Sequence, residues 1–258
     1  MKVTVLQTDI KWAQPVANID NVELLIASAP KSDLYVLPEM WSTGFVTNPQ
    51  GVAENENTSV SLSWMQRTAK KYNAAISGSL AIFKQNESDG QPQAVNRHYF
   101  VKPDGTYNYY DKRHLFKYGG EDKYYQSGNR RMIVEWKGIR FILLTCYDLR
   151  FPGWARYKGD YDAIIIVANW PESRQNVWQI LTRARAIENQ CFLIGCNRVG
   201  NDDYCHYIGR SAIIDPKGYT IVESSSASQE TITTSIDIEE LRRFRNKFPV
   251  LEDRDQLN

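Results

Sequence analysis

Three side chains able to act jointly on a carbonyl carbon stand just beyond apolar runs of this chain: Glu39, Lys112 and Cys146. A thiol must lose its proton before it attacks, and a buried carboxylate with a raised pKa can take that proton. The oxyanion that forms needs a fixed cation or N–H donors. A carboxylate, an ammonium and a thiol together supply what amide hydrolysis requires. Each alone has a plainer explanation: a solvated loop carboxylate, a surface cation, a core thiol. Of the histidines at 98, 114 and 206, His114 and His206 are the serious candidates for a thiol partner, and neither lies in a cysteine-protease context.

The elements that would hold these groups are legible. The run from Ile139 to Leu144 ends at Thr145 and Cys146, and Phe151-Pro152 then breaks the chain. This predicts a buried strand that delivers Cys146 to a strand-to-helix turn, near backbone N–H groups. Leu34 to Leu37 is a strand that stops at Pro38, just before Glu39. Val95 to Tyr110 reads as a hairpin about Pro103-Asp104-Gly105 and leads to Lys112. Val3 to Gln7, Ala74 to Phe83 and Ala163 to Ala168 are further strands, the last an unbroken apolar run covered on both faces. Cys191 to Asn197 and Thr231 to Ile236 complete the single strands. Met132 to Trp136 pairs with Ile139 to Leu144 across Lys137-Gly138, and Ser211 to Asp215 pairs with Tyr219 to Glu223. Helical spacing covers Ala17 to Ser28, Ser59 to Tyr72, Val177 to Glu188 and Glu239 to Asn246. Asn48 to Asn57 and the stretch NESDGQPQ at 86–93 are polar loops. Strands and helices alternate without a dividing linker, so the reading is one α/β domain over 1–258, with a mixed sheet or pair of sheets and helices outside.

Composition narrows the function classes. With 31 basic and 30 acidic residues and no basic arm, nucleic acid is not a favoured partner. No apolar stretch reaches the ~18 residues of a membrane span, and the N-terminus reads as a first strand rather than a signal peptide. Four cysteines without a regular framework suit a reducing, cytoplasmic setting. Cys191 and Cys196 would face opposite sides of one strand, and Cys205-His206 is an isolated pair, so neither makes a metal site. Arg183 and Arg185 are expected to anchor their helix through ion pairs. With no Gly-rich phosphate loop or ligand cluster, no cofactor is expected.

The segments LPEMWSTGF at 37–45, YDKRHLF at 110–116, GGEDKYYQSG at 119–128 and LLTCYDLRFP at 143–152 resemble the nitrilase (carbon–nitrogen hydrolase) superfamily. DYDAIIIVANWPESR at 160–174 and RARAIENQCFLIGCNRVG at 183–200 extend the match across most of the chain. Within the superfamily, CYDLRFPGW, VANWPESR and FRNKFPVLEDRD (Phe244 to Asp255) are most similar to the bacterial omega-amidases.

The resemblance implies a four-layer α-β-β-α sandwich with mixed sheets, assembled as at least a homodimer. It also implies a Glu39–Lys112–Cys146 triad, with Glu121 as a second glutamate nine residues after the lysine. Lys112 and the Tyr147 N–H would hold the oxyanion. Glu121 would orient the attacking water, or be a structural ion pair to Lys112. The implied reaction is hydrolysis of a small amide through a cysteine thioester, on omega-amides of 2-oxo dicarboxylates. The alternatives are another superfamily amidase, a nitrilase, an N-carbamoyl hydrolase or a non-catalytic scaffold. Trp170 is a candidate pocket wall. A far carboxylate on the substrate would need a fixed cation. Arg150 and Arg174 are the candidates; Arg150 is expected to be tied to Asp148 or its own turn, which leaves Arg174 as the better choice, against a surface ion pair.

Overall fold

Alternation with a period of two residues decides the layers of the computed structural model, which describes residues 1–85, 90–225 and 227–255. The first half of the chain forms β1 (Lys2–Gln7), α1 (Pro15–Ser28), β2 (Leu34–Val36), β3 (Glu54–Asn55) and α2 (Val60–Tyr72). It continues with β4 (Ala75–Gln85), β5 (Pro92–Val101) and β6 (Tyr107–Asp111). The second half forms β7 (Ile133–Trp136), β8 (Ile139–Thr145), α3 (Pro152–Ala155), β9 (Ala163–Ala168), α4 (Gln175–Glu188) and β10 (Phe192–Asn197). Short strands β11 (Val199–Asn201), β12 (His206–Ile208), β13 (Ala212–Ile214) and β14 (Thr220–Glu223) follow, then β15 (Glu230–Ser235) and α5 (Ile238–Lys247).

One sheet has the order β15-β1-β2-β4-β5-β6, with β3 against β4; the other has the order β14-β13-β10-β9-β8-β7. In β9, Ala163, Ile165 and Val167 face the first sheet, while Ile164, Ile166 and Ala168 face the α4 side. Both faces are covered, hence the unbroken apolar run. Val3, Val5, Leu34, Val36 and Phe100 of the first sheet meet Phe141, Leu143, Ile165 and Ile194 of the second. The outer face of the first sheet packs Tyr35, Ile76, Leu80 and Tyr99 on Val22 and Ile26 of α1 and Leu62, Met65 and Ala69 of α2. On the far side, Trp178 and Ala186 of α4 close over Ile164 and Leu193. The result is a four-layer α-β-β-α sandwich with mixed sheets. Each fully buried Leu, Ile or Val contributes ~1.5–3 kcal/mol.

Local chemistry sets the ends of the elements. Ser59 caps α2 by accepting the Leu62 N–H at 3.0 Å, and Asn73 ends it with φ 49°. Lys137 and Gly138, at φ 47° and 75°, make the two-residue turn between β7 and β8. Pro15 opens α1 earlier than the apolar spacing indicates. Two short pairings escape the hydrophobic pattern. Glu54 and Asn55, in the expected loop Asn48–Asn57, pair with Ile82 and Phe83 of β4. β11 and β12 form a small ribbon of their own. Residues 86–89 of the expected loop NESDGQPQ lie outside the described residues.

The topology brings chemistry to one edge. β8, β9 and β10 are parallel, so the residues that follow them (Cys146, Asn169 and Arg198) emerge at the same end of their sheet. In the first sheet β2 runs parallel to β4, and β6 runs the same way because β5 is antiparallel to both. Glu39 and Lys112 therefore leave that sheet together.

Candidate active site

The segment that follows β8 carries Cys146 in a 3-10 turn, with φ 44°. That left-handed conformation is costly for a residue with a Cβ and is typical of functional turns. The Asp148 carboxylate accepts the Thr145 N–H at 3.0 Å, the Tyr110 hydroxyl at 2.8 Å and the His114 N–H at 3.0 Å. His114 Nδ1 lies 2.8 Å from the same carboxylate. One buried acid thus ties the turn of the thiol to the segment on either side of Lys112.

Lys112, Glu39 and Glu121 are each wholly buried. Lys112 Nζ donates to Glu39 Oε1 at 2.8 Å and to Glu121 Oε1 and Oε2 at 3.1 and 2.9 Å. Asn96 Nδ2 bridges the two acids, donating to Glu39 Oε1 at 2.8 Å and Glu121 Oε1 at 3.2 Å. The Asn169 N–H donates to Glu39 Oε2 at 2.9 Å, and the Phe116 N–H to Glu121 Oε2 at 2.6 Å. Cys146 Sγ lies 4.0 Å from the Asn169 carbonyl oxygen.

Electrostatics assign the resting protons. Burial pushes the Glu39 carboxyl up, but the Lys112 ammonium and the donors from Asn169 and Asn96 hold it below the usual carboxylate range. This corrects the expectation of a raised carboxyl at Glu39: the ammonium in direct contact and the Asn169 and Asn96 donors together outweigh burial. Burial, with the Glu39 charge nearby, raises Glu121 instead. The two acids titrate as a pair. Burial opposes the charge on Lys112, but Glu121 and Glu39 raise its pKa above the ordinary lysine value. Burial and then the Glu39 charge push the Cys146 thiol well above its usual range, against the pull of Lys112. The site therefore holds an ionised base beside a thiol that keeps its proton.

A cavity of about 60 Å³ opens onto the thiol. Cys146, Tyr147, Arg150, Asn169, Trp170 and Arg174 line it, together with Phe45, Phe116, Pro171, Cys205 and Tyr207. The expected wall residue Trp170 is in place, its Nε1 donating to the Arg174 carbonyl at 2.8 Å. Of the expected ties of Arg150, to Asp148 or to its own turn, the one to Asp148 forms no ion pair, and that carboxylate serves Thr145, Tyr110 and His114; the Arg150 guanidinium lies 5.2 Å from the Trp170 ring. The Arg174 guanidinium lies 5.4 Å from the Phe116 ring. Among the described residues neither arginine has an ion pair, and no carboxylate borders the cavity.

Other expectations divide. Cys196 sits in the core between the sheets and Cys191 in the outer core, on opposite sides as their spacing implies. Arg185 pairs with Glu188 at 3.0 Å, but among the described residues Arg183 makes no ion pair and donates to Gln179 and Thr220 oxygens. His98 is buried and held to Ser77 Oγ at 2.8 Å and the Leu144 carbonyl at 3.1 Å, and burial lowers its pKa to about 3, so it is a neutral cross-tie between the sheets. His206 is exposed and bonds Asn201. Asn96, Asn169 and Ser79, which donates to Asn96 Oδ1 at 2.8 Å, are site residues the sequence reading missed. Asn169 follows β9 as Cys146 follows β8, a positional signal that was there to be read.

Residues 2–246 match the model of the carbon–nitrogen hydrolase family. The omega-amidase YafV of Escherichia coli is 42% identical over 258 residues, covering 100% of this chain and 98% of its own. The 2-oxoglutaramate amidase of Bacillus subtilis is 35% identical, covering 97% of this chain and 96% of its own. The crystal structure of XC1258 from Xanthomonas campestris, a CN-hydrolase superfamily protein with an arsenic adduct in its active site, superposes with a TM-score of 0.92. It shares 38% identity, and the match covers 100% of this chain and 98% of that one.

Proposed function

The chain belongs to the carbon–nitrogen hydrolase family, and on that premise we propose that it is an omega-amidase. It hydrolyses the terminal amide of small 2-oxo dicarboxylic acid monoamides, such as 2-oxoglutaramate and 2-oxosuccinamate, to the acid and ammonia. The observation that carries this reading is the pairing of a Glu39–Lys112–Cys146 cluster with a small cavity bordered, among the described residues, by two guanidinium groups and no carboxylate. An uncharged amide suits the thiol end, where Glu39 would repel a carboxylate. An anion suits the other end, where Arg174, with Arg150, supplies charge that no acid of the cavity wall neutralises. Trp170 forms the wall between these ends.

In the reaction, Glu39 takes the Cys146 proton as sulfur bonds to the amide carbon. Lys112 Nζ and the Tyr147 N–H hold the oxyanion. Glu39 passes the proton to nitrogen, the C–N bond breaks, and ammonia leaves a thioester on Cys146. Water then gives a proton to Glu39 and attacks the thioester carbon. The carbon–sulfur bond breaks, the acid leaves, and the proton returns to sulfur. Glu121 keeps Lys112 in place and orients that water.

The working unit is one domain, and the assembly is at least a homodimer, a reading supported by the family resemblance and by the apolar, aromatic tail Phe244 to Leu251, where Phe248 and Val250 are exposed. Four free cysteines suit the cytoplasm. The test is ammonia release from 2-oxoglutaramate and from a neutral amide of similar length, in wild type and Arg174→Gln. A charged contact of this kind is worth ~1.5–3 kcal/mol, so the acidic substrate should lose about 10- to 150-fold and the neutral one little. Equal loss on both removes Arg174 from recognition. A wild-type preference for the neutral amide, for nitriles or for ureido acids overturns the substrate class.

A further inference from the structure

The side chain of Asn169 has a job that packing does not explain. Glu39 has two carboxylate oxygens, and they are held differently. Oε1 accepts from Lys112 Nζ and Asn96 Nδ2, both at 2.8 Å. Oε2 accepts from the Asn169 N–H at 2.9 Å and from Asn169 Nδ2 at 3.3 Å, and the same Nδ2 donates to the Glu39 carbonyl at 2.6 Å. These contacts fix which end of the carboxamide is nitrogen. Flipped, Oδ1 would face a carboxylate and a carbonyl, two acceptors with no proton between them. Oδ1 is therefore turned away from Glu39, and it is buried without a partner among the described residues. Asn169 borders the cavity of the thiol, and its own carbonyl lies 4.0 Å from Cys146 Sγ. A buried acceptor without a donor is costly, and an arriving N–H removes the cost.

We propose that Asn169 is a catalytic residue, whose Nδ2 orients the base Glu39 while its Oδ1 accepts one N–H of the scissile amide. This rests on the amidase reading above and adds a reason for amide selectivity. A primary amide brings two N–H groups to the leaving nitrogen. Holding one on Oδ1 turns the nitrogen so that its lone pair, which forms as the carbon becomes tetrahedral, faces the proton on Glu39. An ester has no N–H to offer and leaves Oδ1 unpaired.

The groups facing Glu39 are Lys112, Glu121, Cys146, His98 and Tyr125. His98 and Tyr125 stay neutral across the working range, so the acid limb of kcat/KM reports the Glu39–Glu121 pair. The experiment measures that limb, and the turnover of glutarate monoamide against glutarate monomethyl ester, in wild type, Asn169→Ala and Asn169→Asp. Removing Nδ2 takes donors from the ionised base, so in Asn169→Ala the limb should move up by about one pH unit. The amide-to-ester ratio should fall roughly tenfold. Asn169→Asp keeps an acceptor but loses the donor. Its limb should also move up, while its ratio stays within about threefold of wild type. A purely structural role would lower both substrates alike and leave the limb where it was, and either result overturns the proposal. Wild type that turns over neither compound overturns the amidase reading itself.

Discussion

Removing the Lys112 ammonium should weaken the fold and the reaction together, with a distinctive pH signature. Its Nζ is wholly buried and makes three short contacts to two carboxylates. In Lys112→Met, Glu39 and Glu121 face each other without a cation. Breaking a buried pair in this way costs ~3–5 kcal/mol. At ~2–4 °C per kcal/mol for a chain of this size, the melting temperature at pH 7 should fall by about 6–20 °C. The sign of the pH dependence follows from the carboxyls. In wild type Glu39 is held low, so its stabilisation is present above the unfolded pKa of ~4.3 and is lost as pH falls through the folded value. In the variant both acids are raised by burial and mutual repulsion. Their contribution is then full below ~4.3 and is lost as pH rises through the new folded values. The gap between the two proteins should be widest near neutrality and close toward pH 4, read by thermal melts across that range. Turnover should fall by ~10²–10³ with the loss of one oxyanion donor. Lys112→Arg restores charge but spreads it over a broad plane, so it should recover stability in part and activity hardly at all. A melt of Lys112→Met within about 2 °C of wild type at neutral pH, or turnover within threefold, would refute the assignment.

Cys146→Ser should abolish turnover while leaving the melt unchanged, and mass spectrometry of wild type with substrate should trap an acyl group on Cys146; an adduct on Cys191, Cys196 or Cys205 instead would sink the thioester. Light scattering at micromolar concentration should give at least twice the chain mass of 29.7 kDa, and a mass near that value would count against the dimer.

The strands were legible because burial leaves a strong trace in sequence. β9 had to be apolar at every position once α4 covered one face and a second sheet the other. β3 and the β11–β12 ribbon left no such trace, since pairing through main-chain groups of Glu54, Asn55 and Asn201 needs no apolar side chain. Cys146, Glu39 and Lys112 stood out as polar residues at the ends of apolar runs. Asn96 did not, because it lies within β5 and a buried carboxamide there reads as an ordinary strand position. The protonation of Glu39 was misread for a related reason. Burial can be guessed from an apolar neighbourhood, but a 2.8 Å contact with an ammonium 73 residues away in sequence cannot.

The same contact explains why the acids come from different segments, Glu39 from the turn after β2 and Glu121 from the 3-10 turn after β6. Two carboxylates and one ammonium must converge in a dry volume, and neither sheet alone presents all the required donors. Glu39 receives Lys112 and Asn96 from its own sheet on Oε1, and Asn169 from the end of β9 in the other sheet on Oε2. The base is thus fixed by both halves of the sandwich, and the thiol arrives on β8 beside β9. Any slip between the sheets would separate base from nucleophile. His98, bonded across the gap to Leu144 two residues before Cys146, and Asp148, which joins the Cys146 turn to Tyr110 and His114, resist that slip near the site. The rigidity that the chemistry needs is therefore supplied by neutral or fully satisfied buried polar groups, because further uncompensated charge beside Glu39 would move the very proton equilibrium the reaction depends on.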